Sequence, residues 1–276
     1  MLKLAAFADE ISPDLDEQVR VCRENGVSHI ELRGVNNQNV MEFDRALCAR
    51  IRSTLAENGM GVAAIGSPIG KVKISDPWPQ HFERFKHAVD LAVYFSAPFV
   101  RIFSYYPPPN GDIRGHRDEV LSRMREKVEY VKNRNVVLVH ENEKDIYGQS
   151  GRDCLDLMRS IDSPKLRSAF DPANFIVCGE RARDNWPMLK PFTAHIHIKD
   201  AKLDGGKIVP AGQGDANIGP ILKDAYQSGY RGFLTLEPHL AKGGQFGGFT
   251  GPDLFKVAAD ALKDVCRNSG VPLAGA

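Results

Sequence analysis

Short apolar runs alternate with longer amphipathic stretches along the chain. Residues 2–7, 29–33, 61–67, 99–103, 136–141, 166–171, 193–200 and 233–237 are brief and aliphatic or aromatic, as strands are. Between and after them, residues 14–22, 42–58, 78–95, 118–133, 153–161, 181–189, 218–228 and 252–268 read as helices. The first carries acid in its first turn and closes at Asn25-Gly26, and Gly59 ends the second. In the third, Phe82, Phe85, Val89, Ala92 and Val93 follow helical spacing. Residues 118–133 read as a charged helix facing solvent.

Strands alternating with helices at this spacing predict a parallel sheet in the α/β class. Eight such units in a chain of this length predict a closed (β/α)8 TIM barrel, a single domain over residues 1–276. A doubly wound sheet would need a glycine-rich phosphate turn after the first strand, and residues 8–13 do not form one. In a barrel the C-terminal strand ends meet at one mouth, where active sites lie.

That mouth collects unusual side chains. In residues 193–200, His195, His197 and Lys199 share one strand face, while Ala194, Ile196 and Ile198 share the other. The strands before and after it end on acid at Glu141, Asp171 and Glu237. These acids and His197 lie 30, 26 and 40 residues apart, each gap fitting one strand and helix. Asp171 and Glu237 both precede proline, which favours the extended backbone of a strand end. Glu141, Asp171, His197 and Glu237 are therefore candidate ligands for one divalent metal. Three carboxylates and an imidazole suit Mn²⁺ or Mg²⁺ ahead of Zn²⁺ or Co²⁺. Four protein ligands leave two octahedral places for a bidentate pair of substrate oxygens.

The motifs His140-Glu141-Asn142-Glu143, Asp171-Pro172-Ala173-Asn174, His195-Ile196-His197-Ile198-Lys199-Asp200 and Leu236-Glu237-Pro238-His239 resemble the xylose isomerase-like TIM-barrel superfamily. That superfamily holds sugar isomerases and epimerases, inosose-processing enzymes and endonuclease IV. The resemblance spans essentially the whole chain. It implies one divalent metal on Glu141, Asp171, His197 and Glu237, with Glu141 and Glu237 also carrying protons on opposite sides of the substrate. The implied function is isomerisation or epimerisation of a sugar, keto-sugar or sugar phosphate through a metal-bound enediolate. Residues 65–71 and 101–104 also resemble an uncharacterised branch described only as sugar phosphate isomerase/epimerase. One departure stands out. Similar epimerases often carry histidine three residues after the metal aspartate, where this chain has Asn174. Asparagine can hydrogen-bond a hydroxyl but does not move a proton near neutral pH. This leaves room for a lyase, a decarboxylase or dehydratase acting on a keto-sugar acid or inosose-like substrate.

Arg33, Ser67, Lys71, Arg101, Asn174, His195, Lys199 and His239 are the expected substrate contacts, and several cations at one mouth favour an anionic carbohydrate. Trp78, Phe103, Tyr105, Tyr106 and Phe246 are candidates for apolar walls, and residues 105–111 and 243–248 for mobile loops. A net charge of +1 supplies no bulk attraction for nucleic acid. An endonuclease would need about three metals and a basic surface, and a non-catalytic sugar sensor would not need all four ligands. The acidic residues Asp9 and Glu10 come too early for a signal peptide, and no apolar run approaches the roughly 20 residues of a membrane span. Five cysteines without CxxC spacing fit a reduced cytoplasmic protein. A homo-oligomer is compatible with this reading.

Overall fold

The computed structural model describes residues 1–241 and 248–274. The lid expected over residues 243–248, Phe246 included, thus lies outside the described residues except for Gly248. Eight strands form the barrel: β1 (Lys3–Ala6), β2 (His29–Leu32), β3 (Gly61–Ile65), β4 (Phe99–Ile102), β5 (Val137–Glu141), β6 (Leu166–Phe170), β7 (Thr193–Ile198) and β8 (Phe233–Leu236). Each runs parallel to its neighbours in chain order, and β1 pairs with both β2 and β8 to close the ring. The fold is a (β/α)8 barrel.

The surrounding helices are α1 (Leu15–Glu24), α2 (Arg45–Glu57), α3 (Trp78–Tyr94), α4 (Arg117–Val131), α5 (Gly151–Ile161), α6 (Pro172–Val177), α7 (Ala182–Leu189), α8 (Ile218–Gln227) and α9 (Pro252–Asn268). Several start where side chains cap free amides. Asp14 accepts from Glu17 N at 2.9 Å, Asp44 from Leu47 N at 2.7 Å, and Ser150 from Asp153 N at 3.1 Å. The short α6 was not expected from the sequence. Asp171 caps it by accepting from Asn174 N, and Pro172 opens it with a preset backbone angle. α4 differs from the expected solvent-facing helix, because Arg123 and Lys127 are buried on its inner side. Their long apolar stems cover ring surfaces that a shorter polar residue would leave unpacked.

The barrel interior is layered. Ala5, Ala63 and Phe233, with Phe99 against them, make an apolar floor. His195 lies above it, its ring centroid 5.6 Å from that of Phe99. β7 slips register against β6 just before this point, bypassing Ala194, so His195 pairs with Ala169. The mouth-side loops are packed close. Gly70 has φ +97°, and a Cβ there would stand 2.0 Å from the carbonyl oxygen of Phe103, so this crossing admits only glycine.

Candidate active site

Glu141 ends β5, Asp171 follows β6, His197 lies near the end of β7, and Glu237 follows β8. The barrel brings a ligand atom from each within 4.8 Å of the others, and all four side chains are buried. His197 Nδ1 is the hub, 3.3 Å from Glu141 Oε1 and 3.5 Å from Glu237 Oε2. Its other nitrogen, Nε2, is 3.2 Å from Glu31 Oε2. When Nε2 carries the proton and donates it to Glu31, the Nδ1 lone pair faces carboxylates. Lone pairs converging in this way are stabilised by a cation between them.

Charge balance points the same way. Asp9, Glu10, Glu31, Glu141, Asp171 and Glu237 put six buried carboxylates at this end of the barrel. Arg33, Arg101 and Lys199 oppose them, together with His197 and His239, which the same acids favour in the charged form. Asp171 Oδ2 lacks a hydrogen-bond partner among the described residues, although Lys199 Nζ stands 2.8 Å away. Oxygen-rich donors, an aimed imidazole and surplus negative charge fit a divalent ion.

The four expected anion-binding cations are each tied to acid. Arg33 meets Asp9 at 2.8 Å and Glu237 at 3.3 Å. Arg101 donates to Glu141 Oε2 at 3.1 Å and to the Gly66 carbonyl at 3.2 Å. Lys199 bridges Asp171 and Glu237, and Lys71 pairs with Glu143 at 2.9 Å. Lys71, 33% exposed, and His239, 22% exposed, are the more accessible members of the set. The Lys71 ammonium lies 4.3 Å from the Phe103 ring centroid. Ser67 is enclosed, with Oγ donating to the Arg101 carbonyl at 2.5 Å. His195 sits deeper than the mouth, 2.7 Å from Glu31 and 2.9 Å from Thr235 Oγ1. Asn174 Nδ2 donates to Glu141 Oε1 at 3.2 Å and to the Asn142 carbonyl at 2.9 Å. Trp78 and Tyr105 lie behind the barrel wall, beside Lys127.

Burial raises the Glu141 carboxyl, but His197 and Arg101 outweigh it and hold the group at about 2. Glu237 is likewise pushed up by burial and pulled well below the usual range by Lys199, His239 and His197. Asp171 goes the other way: its burial outweighs Lys199 and raises it. His197 and Lys199 rise because neighbouring acids outweigh the burial that would lower them. His239, lowered by burial and Lys199, is lifted to about 9 by Glu10 and Glu237.

Glu31, Asp9 and Glu10 are the residues that the sequence reading passed over. Glu31 had a signal, since it sits between the buried Ile30 and Leu32 on the same strand face as Arg33. Glu10 reaches the mouth from the loop after β1, where its Oε2 accepts from His239 N and Thr250 Oγ1.

The sequence profile described as "Xylose isomerase-like TIM barrel" matches residues 19–265. The chain belongs to this family. Solved xylose isomerase-like barrels superimpose on it along nearly the whole chain. A probable 3-DHS dehydratase, AsbF, involved in petrobactin synthesis in Bacillus anthracis, is 20% identical with TM-score 0.75, covering 95% of this chain and 98% of that one. A xylose isomerase-like TIM barrel protein from Mycobacterium smegmatis, in complex with magnesium, is 17% identical with TM-score 0.73, covering 97% of each chain. A D-allulose 3-epimerase from Methylomonas sp., in complex with D-allulose, is 15% identical with TM-score 0.74, covering 96% of each chain. At these identities the likeness establishes the fold. No curated protein matches the sequence. Within this xylose isomerase-like barrel, no described helix is long and apolar enough to cross a membrane.

Proposed function

We propose that this protein is a divalent-metal-dependent isomerase or epimerase acting on a sugar, keto-sugar or sugar phosphate. The observation that carries the reading is the pair Glu141 and Glu237, both buried, both held below the usual carboxylate range by neighbouring cations, and both facing the same nitrogen of His197. Glu141, Asp171, His197 and Glu237 would hold the ion, and their oxygen-rich set suits Mn²⁺ or Mg²⁺. Once bound, such an ion polarises a carbonyl and stabilises negative charge developing on its oxygen.

The chain's own groups then account for the proton movements. An ionised carboxylate next to a carbon acidified by its carbonyl can remove that carbon's proton. Glu141 and Glu237 stand on strands separated by β6 and β7, so they reach the substrate from different sides. One can take a proton while the other returns one to the opposite face or the adjacent atom. Arg101 on Glu141 and Arg33 on Glu237 fix the two carboxylates. His239 Nε2, 3.4 Å from Glu237 Oε1, is charged at neutral pH and backs that carboxylate with a proton donor. On the Glu141 side the corresponding neighbour is Asn174, which only donates a hydrogen bond.

That asymmetry supports a second reading, a lyase in which an enolate forms by loss of CO2, or forms by removal of a C–H proton and then expels a neighbouring hydroxyl as water. The probable dehydratase among the structural neighbours is consistent with it. Lys71 at the rim is the cation best exposed to meet a phosphate or carboxylate on the substrate.

Incubation in D2O with keto-sugars, sugar phosphates and keto-acids separates these readings. The protein is used after chelation and again after reloading with Mn²⁺. Metal-dependent deuterium uptake beside the carbonyl without loss of mass supports isomerisation, and loss of CO2 or water supports the lyase. Turnover indifferent to chelation would contradict both.

A further inference from the structure

A second polar cluster lies behind the barrel wall, between α3, α4 and the loop after β4. Lys127 on α4 is fully buried, and Arg123, one turn earlier, is 7% exposed. Arg123 Nε donates to Glu119 at 2.7 Å, but its Nη1 has no partner among the described residues. Lys127 Nζ has no hydrogen-bond partner there either. The Tyr105 hydroxyl and His81 Nε2 share that condition. All four atoms can donate a hydrogen bond.

The groups pack around the same two rings. Lys127 Nζ is 4.6 Å from the Tyr105 centroid and 5.8 Å from that of Trp78. The Arg123 guanidinium is 5.4 Å and 5.3 Å from those centroids, and the His81 ring 5.7 Å and 6.0 Å. Ring faces attract cations but accept no strong hydrogen bond, so they leave the donors unmet. The nearby acids are turned elsewhere. Glu119, half exposed, takes Arg123 Nε, and Glu126 takes the Trp78 indole at 2.9 Å. Both acids are exposed, whereas the fully buried Lys127 ammonium has no carboxylate partner among the described residues. Burial and then Arg123 lower Lys127 to about 7, which reflects the missing counter-charge.

We propose that this cluster binds one small monovalent inorganic anion of the chloride type, held by Lys127, Arg123, Tyr105 and His81. Its charge would pair the Lys127 ammonium, and an acceptor with no directional preference suits donors carried by α3, α4 and the loop after β4. A buried water would satisfy hydrogen bonds but leave the charge. The ion would also hold the loop after β4. Tyr105 has φ +71°, its N–H donates to Gly70 O at 3.0 Å, and its carbonyl accepts from Tyr147 N at 3.3 Å. The pin therefore joins the loops after β3, β4 and β5 at the barrel mouth.

Bromide, a heavy stand-in for chloride, makes the idea testable on the unmodified protein. Crystals soaked in sodium bromide should show an anomalous peak within about 3.5 Å of Lys127 Nζ. In parallel, the melting temperature should rise with chloride and saturate, by about 2–4 °C at roughly fivefold excess over Kd, against sodium gluconate at equal ionic strength. Lys127→Met, which keeps the bulk and removes the charge, should abolish that difference. An ordered water without anomalous signal, or melting indifferent to halide, would overturn the assignment. Should the variant fail to fold, the wild-type diffraction still decides.

Discussion

Glu31 Oε2 lies 3.2 Å from His197 Nε2, while the opposite ring nitrogen faces Glu141 and Glu237. One carboxylate on β2 thus sets how a side chain across the barrel is presented. Burial raises Glu31, yet His197 and His195 outweigh it and keep the group ionised. An ionised acceptor fixes the proton on Nε2, so a bound ion would displace only the proton on Nδ1 and take that nitrogen as a ligand. Removing such a partner typically costs about 10–100-fold in metal affinity. Glu31→Gln should weaken Mn²⁺ binding by that amount with an unchanged circular dichroism spectrum. Affinity equal to wild type would mean that Glu31 serves only the fold.

Proton transfer makes a different demand. In Glu141→Gln and Glu237→Gln, the amide carbonyl still offers an oxygen to the ion but no basic oxygen remains. Turnover at saturating metal should fall by about 10²–10⁴-fold in each, well beyond any loss of affinity. The variant lacking the abstracting base should also lose exchange of the substrate proton with solvent. The one lacking the donor should keep that exchange and fail to form product. Near-normal rates in both would assign the proton to another group, Lys199 or His239.

Much of this arrangement could be read from the chain. Period-two alternation across residues 193–200 put His195, His197 and Lys199 on one face, and proline after Asp171 and Glu237 marked strand ends. Partnership was harder to read. Arg33, Arg101 and Lys199 look like free cations in one dimension, and only barrel closure shows that Glu237, Glu141 and Asp171 stand against them. Glu31 and His195 are 164 residues apart, so no local spacing links them. Charged residues flank Lys127 in the sequence and suggest a solvated face, but the helix turns it inward. The α6 start was legible in Asp171-Pro172, but the strand-end reading of Asp171 masked it.

Gly70 couples backbone geometry to the mouth. Gly70→Ala places a Cβ 2.0 Å from the Phe103 carbonyl oxygen in a left-handed conformation. The expected loss of stability is about 3 kcal/mol or more in chemical denaturation. Gly26→Ala is the control. Its φ is +72° with open space around the added methyl, so only the backbone term of about 1–2 kcal/mol applies. Equal losses would show that the loop crossing yields freely.

His29, at the start of β2, gives stability an acid-side slope. Burial and then Lys3 lower it from 6.5 to about 4. Between those values the unfolded chain takes up a proton that the folded protein does not. The contribution is therefore complete above pH 6.5 and is lost as pH falls toward 4. Denaturant midpoints across that window should fall with pH in the wild type and less steeply in His29→Gln. Identical slopes would remove His29 as the cause.

The metal centre itself is tested most directly by calorimetric titration of Mn²⁺ into chelator-treated protein. One ion per chain should bind the wild type. The strong binding should vanish in His197→Ala and Asp171→Asn while both variants stay folded. Wild-type affinity retained in His197→Ala, or no binding to the wild-type chain, would contradict the assignment of Glu141, Asp171, His197 and Glu237 as one metal site.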